Sequence, residues 1–452
     1  MRNSQARLLK AMNAEIRSIK TAAEQGLATE FSSARSTLPG KGAVASLRDD
    51  AFKRFDANGL PHRRVEQWKY TDLRALMREA KPLAKPLAGP ADIRKPADIA
   101  AILPGVQANL VTIVNGRYAP EWTDKNAADP GITVTELFAW LADNAAYQLG
   151  KMPGNDDQAS LLNTAFMSGG VAVHVKRGAA ASKPIHIAHV FSGDAAAAMY
   201  PRSVVVVEPG AHVTLIESFS GPDGLDYQVN SALELVIGDG AHVDHLKIGY
   251  DGDAALRIST LGVTVGAKAA YKDFSFTTGG AVVRNQTFAR FAGEGIDAFI
   301  GGASLLKNKQ HVDNTLVISH AAAHCDSREL FKTVLDNKSH GVFQGKIIVE
   351  PHAQKTNAKM MTRSLLLSDE AEASQKPELE IFADDVVCGH GATAGALDPG
   401  LKFYLMSRGI SEKEAETLLI QAFIGEAIEE VANEHIREAL NLASLKWLGA
   451  RK

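Results

Sequence analysis

Apolar residues recur at helical spacing early in the chain. In VASLRDDAFKRFDANGLP, Val44, Leu47, Ala51, Phe52 and Phe55 follow one another at intervals of one, three and four, and Gly59 and Pro61 supply stop signals. Residues 131–150, GITVTELFAWLADNAAYQLG, predict another helix, with Thr133 or Thr135 as its cap. Between them, residues 81–100 are rich in Pro, Ala and Lys and read as a linker or an extended wrap around the surface. Residues 1–155 therefore form a mostly helical N-terminal region with a linker.

Near Leu161 the texture changes. Short, alternating, β-branched segments appear between Gly and Pro: GVAVHVK, KPIHIAHVF, SVVVVEPGAHVTLIESF, ALELVIGDGAHVDHLKIGY, LGVTVGAKAAYKDFSF. Gly-Ala-His-Val occurs at Gly210 and again at Gly240, and Gly-Ala recurs at Gly266, giving intervals of 30 and 26 residues. A period of that size with a turn glycine in each unit signals a solenoid, and short strands point to a right-handed parallel β-helix or a related β-solenoid. A β-sandwich built from hairpins is the alternative. The strand pattern defines a core over residues 156–398.

The tail, residues 399–452, returns to helix. Ser411 and Glu414 stand at capping-box spacing, followed by an apolar stripe of Ala415, Leu418, Leu419, Ala422, Phe423 and Ile428. A second helix is expected from about Glu434 to Leu448. The predicted architecture is mainly β, a β-helix core between helical N- and C-terminal regions.

Composition narrows the function. With 45% hydrophobic and 22% charged residues in 452, and a net charge of −3, the chain lacks the basic footprint of a nucleic-acid binder. No apolar run approaches a membrane span, and a cytoplasmic location is expected. The basic start, MRNSQARLLKAMNAEIRSIK, contains Glu15 and no apolar core, and reads as an ordinary helix rather than a transit peptide. Two cysteines, Cys325 and Cys388, exclude a disulfide framework and cannot supply the four ligands a cluster usually takes.

Several motifs have bland readings. Gly341 to Lys346 has three residues before its Gly-Lys, and Ile347 follows, so spacing and hydroxyl both fail for a P-loop. His186 and His189, and likewise His242 and His245, lie three apart on strands and face opposite ways; surface or turn histidines are expected. His324 and Cys325, being adjacent, also face apart. Cys388-Gly389-His390 differs, because positions two apart share a face and thiolate with imidazole suits iron or zinc. Taken alone, that pair is an incomplete site or a buried cysteine beside a turn histidine. Asp384 and Asp385, with Glu378 and Glu380, raise the alternative of a carbohydrate-active β-solenoid enzyme using paired carboxylates. Adjacent carboxylates on a strand point apart, and aromatics are only 6% of the chain, so few rings are left to stack on sugars.

KPELEIFADDVVCGHGATAGALDP resembles the signature of the SufB/SufD family of iron–sulfur cluster assembly scaffolds. GLPHRRVEQWKYTDL at residues 59–73, LLNTAF at 161–166, SRELFKTVLDNKSHGVFQGKIIVEPHAQKTNAKMMTRSLLLSDEAEA and LKFYLMSRGISEKEAETLLIQAF extend the similarity over nearly the whole chain from Gly59. SufB chains are longer and richer in cysteine, so the count of two and the 59–73 motif favour the other branch. The resemblance implies a non-catalytic subunit that pairs with SufB through the β-helices and engages the ABC-type ATPase SufC, which hydrolyses the nucleotide. A cysteine desulfurase system supplies sulfur, and a homodimer is a further option where SufB is absent. It places His390, with Cys388 as companion, at the SufB interface, sharing a transient cluster that the isolated chain does not hold. It also assigns ATPase docking to the C-terminal region, at Phe403, Tyr404, Arg408, Gly409, Leu419 and Phe423. The first forty or so residues match nothing in this pattern.

Overall fold

The structure, a computed structural model, describes residues 20–86, 102–124 and 129–451. Most of the proposed linker and the basic N-terminal stretch lie outside the described residues. The core is a parallel β-solenoid flattened into two ten-stranded sheets, its coils hydrogen-bonded in register one on the next, with antiparallel pairs only at the N-terminal end, Asn109–Val114 with Arg117–Tyr118 and Ile132–Glu136 with Val171–Val175. One column of paired positions runs Val213, Val243, Tyr271, Ala298, Ser327, Ala358, Cys388; the next inward column runs Leu215, His245, Asp273, Ile300, Glu329, Met360, His390. Alternate side chains of both sheets meet between them and close the lumen, with Leu233, Val263, Ile318 and Ile347 facing Val213, Leu215, Val243 and Ile300.

Parallel sheets need cover on both faces. The helices Ala22–Ala34, Ala43–Asn58 and Gln158–Phe166 pack on the outer face of one sheet around Phe31, Phe55, Phe166 and Ile258. The helices Glu412–Ile428 and Glu434–Gly449 cover the other around Ile216, Leu246, Phe274 and Phe299. The motif at 59–73 ties the N-terminal helices to the sheet: Trp68 is fully buried, with the Arg284 guanidinium 3.9 Å from its ring centre and its Nε1 donating to Asp157 at 2.8 Å. Arg284 also donates to the Gln67 carbonyl (2.7 Å) and pairs with Asp313.

The helical reading of the N-terminal region holds for 43–58 but not further on. Asn109–Val114 is a strand paired in parallel with Ile185–Val190, and Ile132–Glu136 is a strand paired with Val171–Val175. The helix expected over 131–150 is only Leu137–Asp143, capped by Glu136, whose carboxylate accepts from the Ala139 N–H at 2.9 Å, and not by Thr133 or Thr135. Thr133 and Thr135 are spent on the sheet, where β-branched residues fit the pleat.

The repeat also needs correction. Gly210 and Gly240 do share a place in successive coils, both at left-handed φ (70° and 63°), but the next residue in that place is Lys268 (φ 55°), not Gly266. The column continues through Gly295, His324 and Lys355, at intervals of 30, 28, 27, 29 and 31 residues. Each member donates its N–H to a carbonyl of the following coil, from Gly210 to Asp239 (2.9 Å) through to Lys355 to Asp385 (2.6 Å). The ladder fixes the turn, and side-chain-bearing residues tolerate the strained conformation at half of its positions.

Of the four histidines expected at the surface, His242 is partly exposed on the outer face, but the other three are buried. His186 is 5%, His189 2% and His245 2% exposed, because the outer face of their sheet is covered and the inner face closes the lumen. The opposite-facing alternation itself holds: His245 lies in the lumen column and His242 on the outer face. His189 Nε2 meets Glu217 (3.2 Å), whose other oxygen meets His245 Nε2 (3.1 Å), while His245 Nδ1 donates to Asp273 (2.8 Å). Burial opposes charge on the His245 ring, yet these carboxylates raise its pKa to about 9. Farther along, Glu329 is 1% exposed and neither carboxyl oxygen has a hydrogen bond of good geometry. The Ser327 hydroxyl beside it is already bonded to His320 (3.1 Å). Burial pushes Glu329 up to about 8, so it is protonated at neutral pH.

Two outcomes test this picture. No atom lies within 4 Å of a Cβ added at Gly240, so Gly240→Ala should cost only the left-handed conformation, about 1 kcal/mol, read as a lower denaturant midpoint. A neutral effect would show that the coil-to-coil bond does not hold φ. Because Glu329 keeps its proton to higher pH when folded than when unfolded, stability should fall between about pH 4.5 and 8. Glu329→Gln should remove that fall, gaining on the parent by up to about 1.4 kcal/mol per pH unit across the window. Parallel melting curves from pH 4.5 to 8 would rule out a neutral buried carboxyl.

Candidate functional site

The solenoid ends at Glu372–Ile381 in one sheet and Val387–Gly395 in the other, and each is the terminal strand of its sheet. Their outer edges carry unpaired backbone groups, flanked by exposed Ile381, Phe382 and Val387. Inward-facing side chains on this last rung have no coil above them. Cys388 and His390 are two such side chains. They continue the columns of Ala358 and Met360, and they remain accessible only because the stack stops there. The shared face expected of a C-x-H sequence is therefore observed, at the mouth of the lumen.

Cys388 is a free, half-buried thiol packed against the lumen core. Burial raises its pKa, the Ala358 backbone opposes the shift, and the Glu329 carboxyl below adds to it. The thiol form therefore dominates at neutral pH. A Cβ added at Gly389, which faces the opposite side of the strand, meets nothing within 4 Å, so the strand is uncovered on that face too. Among the described residues no set of three or more His, Cys, Asp or Glu side chains is placed to hold a metal. Cys388 and His390 are two donor side chains at an open end of the lumen. Cys325, by contrast, is fully buried in the lumen, and His324 turns outward in the left-handed column.

Of the acidic group, Asp385 and Glu380 are held in ion pairs. Asp384 and Asp385 sit in an exposed turn; Asp385 pairs with Lys355 and takes its N–H bond as well, while Glu380 meets Lys346 at 2.8 Å. Gly341 and Gly345 lie within the strand His340–Val349, not in a phosphate-cradling loop.

The C-terminal helices present the second surface. Pro399–Ser407 buries none of its residues, leaving Leu401 53%, Phe403 73% and Tyr404 54% exposed. Arg408 lies 4.9 Å from the Tyr404 ring centre, and Gly409 ends the helix at φ 88°. Ser411 caps the next helix by accepting from the Glu414 N–H (3.3 Å). Of the expected apolar stripe, Ala415 and Ile428 are buried, joined by Ile420, Ile424 and Ala427, whereas Leu418 and Ala422 are exposed and Leu419 and Phe423 half-buried. The helix is apolar on nearly every side, so spacing alone does not select the inner face. Leu419 and Phe423 instead line an open cleft of about 420 Å³ with Leu401, Leu365 and Leu397. Leu401 gave no separate sequence signal.

No helix among the described residues is long and apolar enough to cross a membrane. The family description "SUF system FeS cluster assembly, SufBD core domain" matches residues 189–423, and "SufBD protein N-terminal region" matches 23–187. An iron–sulfur cluster assembly SufBD family protein of Synechocystis is 31% identical over 400 residues, 86% of this chain and 87% of that one. The iron–sulfur cluster assembly protein SufD of Escherichia coli is 29% identical over 84% of this chain and 87% of its own length. SufD of Bacillus subtilis is 26% identical over 63% and 66%. With a core-domain match across more than half its length, a fitting solenoid and an open Cys-x-His rung, the chain belongs to the SufBD family of iron–sulfur cluster assembly proteins.

Proposed function

We propose that this chain is the SufD-type subunit of a cluster-assembly complex, a scaffold rather than an enzyme. Its last solenoid rung faces the corresponding rung of a SufB paralogue, and Cys388 and His390 contribute donors to a nascent iron–sulfur cluster carried between the two chains. One observation carries the reading: the two donors are the uncovered end of the lumen columns, flanked by free strand edges that another solenoid can extend. A thiolate and an imidazole suit iron–sulfur ligation, and two ligands leave the remainder to the partner. The helix Pro399–Ser407, with Phe403, Tyr404, Arg408 and Gly409, and the adjoining Leu419–Phe423 cleft, is the docking surface for the SufC ATPase. Exposed aromatic residues on a capped helix fit such an anchor.

His390→Ala removes an exposed side chain, so folding and assembly with SufB and SufC should be retained while cluster yield after anaerobic co-expression falls. An undiminished yield would remove His390 from the site. Phe403→Glu should release SufC in a pull-down without moving the melting temperature, because Phe403 is 73% exposed in the free chain. Retained SufC binding would move the docking surface elsewhere. Leu419 is the poorer choice for this test, since it is half-buried and charging it threatens the fold.

A further inference from the structure

The rung beneath Cys388 and His390 carries a third sulfur or nitrogen donor. Met360 is the direct register partner of His390, and Ala358 is that of Cys388. Met360 is 2% exposed and belongs to the lumen core. Its thioether reaches across the lumen to Gly345 on the opposite sheet, where an added Cβ would stand 2.4 Å from Sδ. Gly345 does not adopt a left-handed φ, so its missing side chain serves space, and that space holds the Met360 sulfur beside the Phe343 ring. Ala358, with only a methyl group, leaves the region under Cys388 uncrowded. The hard donor Glu329 lies one rung deeper, behind Met360.

Adjacent rungs are about 4.8 Å apart, a gap that a methionine with three rotatable bonds spans by changing rotamer. We propose that Cys388, His390 and Met360 form a soft three-donor site at the mouth of the lumen, and that the isolated chain binds one thiophilic d10 cation there, Cu(I). Thiolate and thioether select Cu(I) over harder divalent ions, and imidazole completes a set that needs no oxygen ligand. This inference rests on the reading of Cys388 and His390 as a donor pair, and adds a ligand and a metal to it. The neighbouring Met361 supplies an internal control. It points to the outer face, where its side chain packs near Gly391 among the C-terminal helix contacts.

The test is an anaerobic titration of the full chain with Cu(I), competed against bicinchoninate. One equivalent should bind, and Met360→Leu, which conserves volume, should weaken binding by roughly tenfold or more, the scale for losing a group around a metal. Met361→Leu should leave it unchanged, and melting temperatures of both variants report any loss of fold. With selenomethionyl protein, X-ray absorption at the copper edge should show a copper–selenium distance that disappears in Met360→Leu and persists in Met361→Leu. Equal affinity of Met360→Leu and the parent, or no selenium neighbour, would remove Met360 from the site while leaving the pair intact. Unchanged binding in both Cys388→Ser and His390→Ala would overturn the pair as well.

Discussion

Every coil of this protein must lie in register on the one below it. In-register parallel stacking at about 4.8 Å makes each inward side chain share its space with the same position in the coils above and below. Size is therefore settled by column: Tyr271 follows Val243 and precedes Ala298, and Gly345 gives way where Met360 crosses. Polar groups obey the same rule. Glu217, His245 and Asp273 occupy successive rungs because each supplies the hydrogen-bond partner that the next one lacks. Glu329, with no such partner, resolves its burial by staying neutral.

The strand texture was legible because lumen and outer-face positions alternate with period two, and a two-faced burial makes long β-branched runs such as SVVVV. What alternation could not reveal was which residues sit under a second layer. The histidines at 186, 189 and 245 read as surface groups because covering helices and lumen partners come from distant parts of the sequence. The Glu412–Ile428 helix was legible as a helix, cap included, but its apolar residues surround it, so its inner face is chosen by Phe274 and Leu246 on the sheet. Lys268 was missed as the third turn residue because glycine marks a left-handed turn in sequence, whereas here a hydrogen bond donated to the next coil holds any residue in that shape.

The candidate site was readable to the extent that two residues two apart share a face. Its openness was not. Exposure of His390 comes from where the stack stops, a property of the whole solenoid rather than of the sequence around Cys388. The same end condition leaves Ile381, Phe382 and Val387 uncovered, so the donors and the apolar rim around them have one cause.

The column of left-handed turns sets a rule for how this chain can change length. Coils vary between 27 and 31 residues along that column, so loops at the other corners absorb additions. Removing a single residue inside a strand would instead turn every later inward side chain outward in that coil, exchanging core for surface. Removing one complete coil would leave both columns continuous and carry Cys388 and His390 one step closer to the buried charges at His245 and Asp273. Length in the middle of this protein is thus quantised: evolution can subtract whole coils or trim corners, but has little room between.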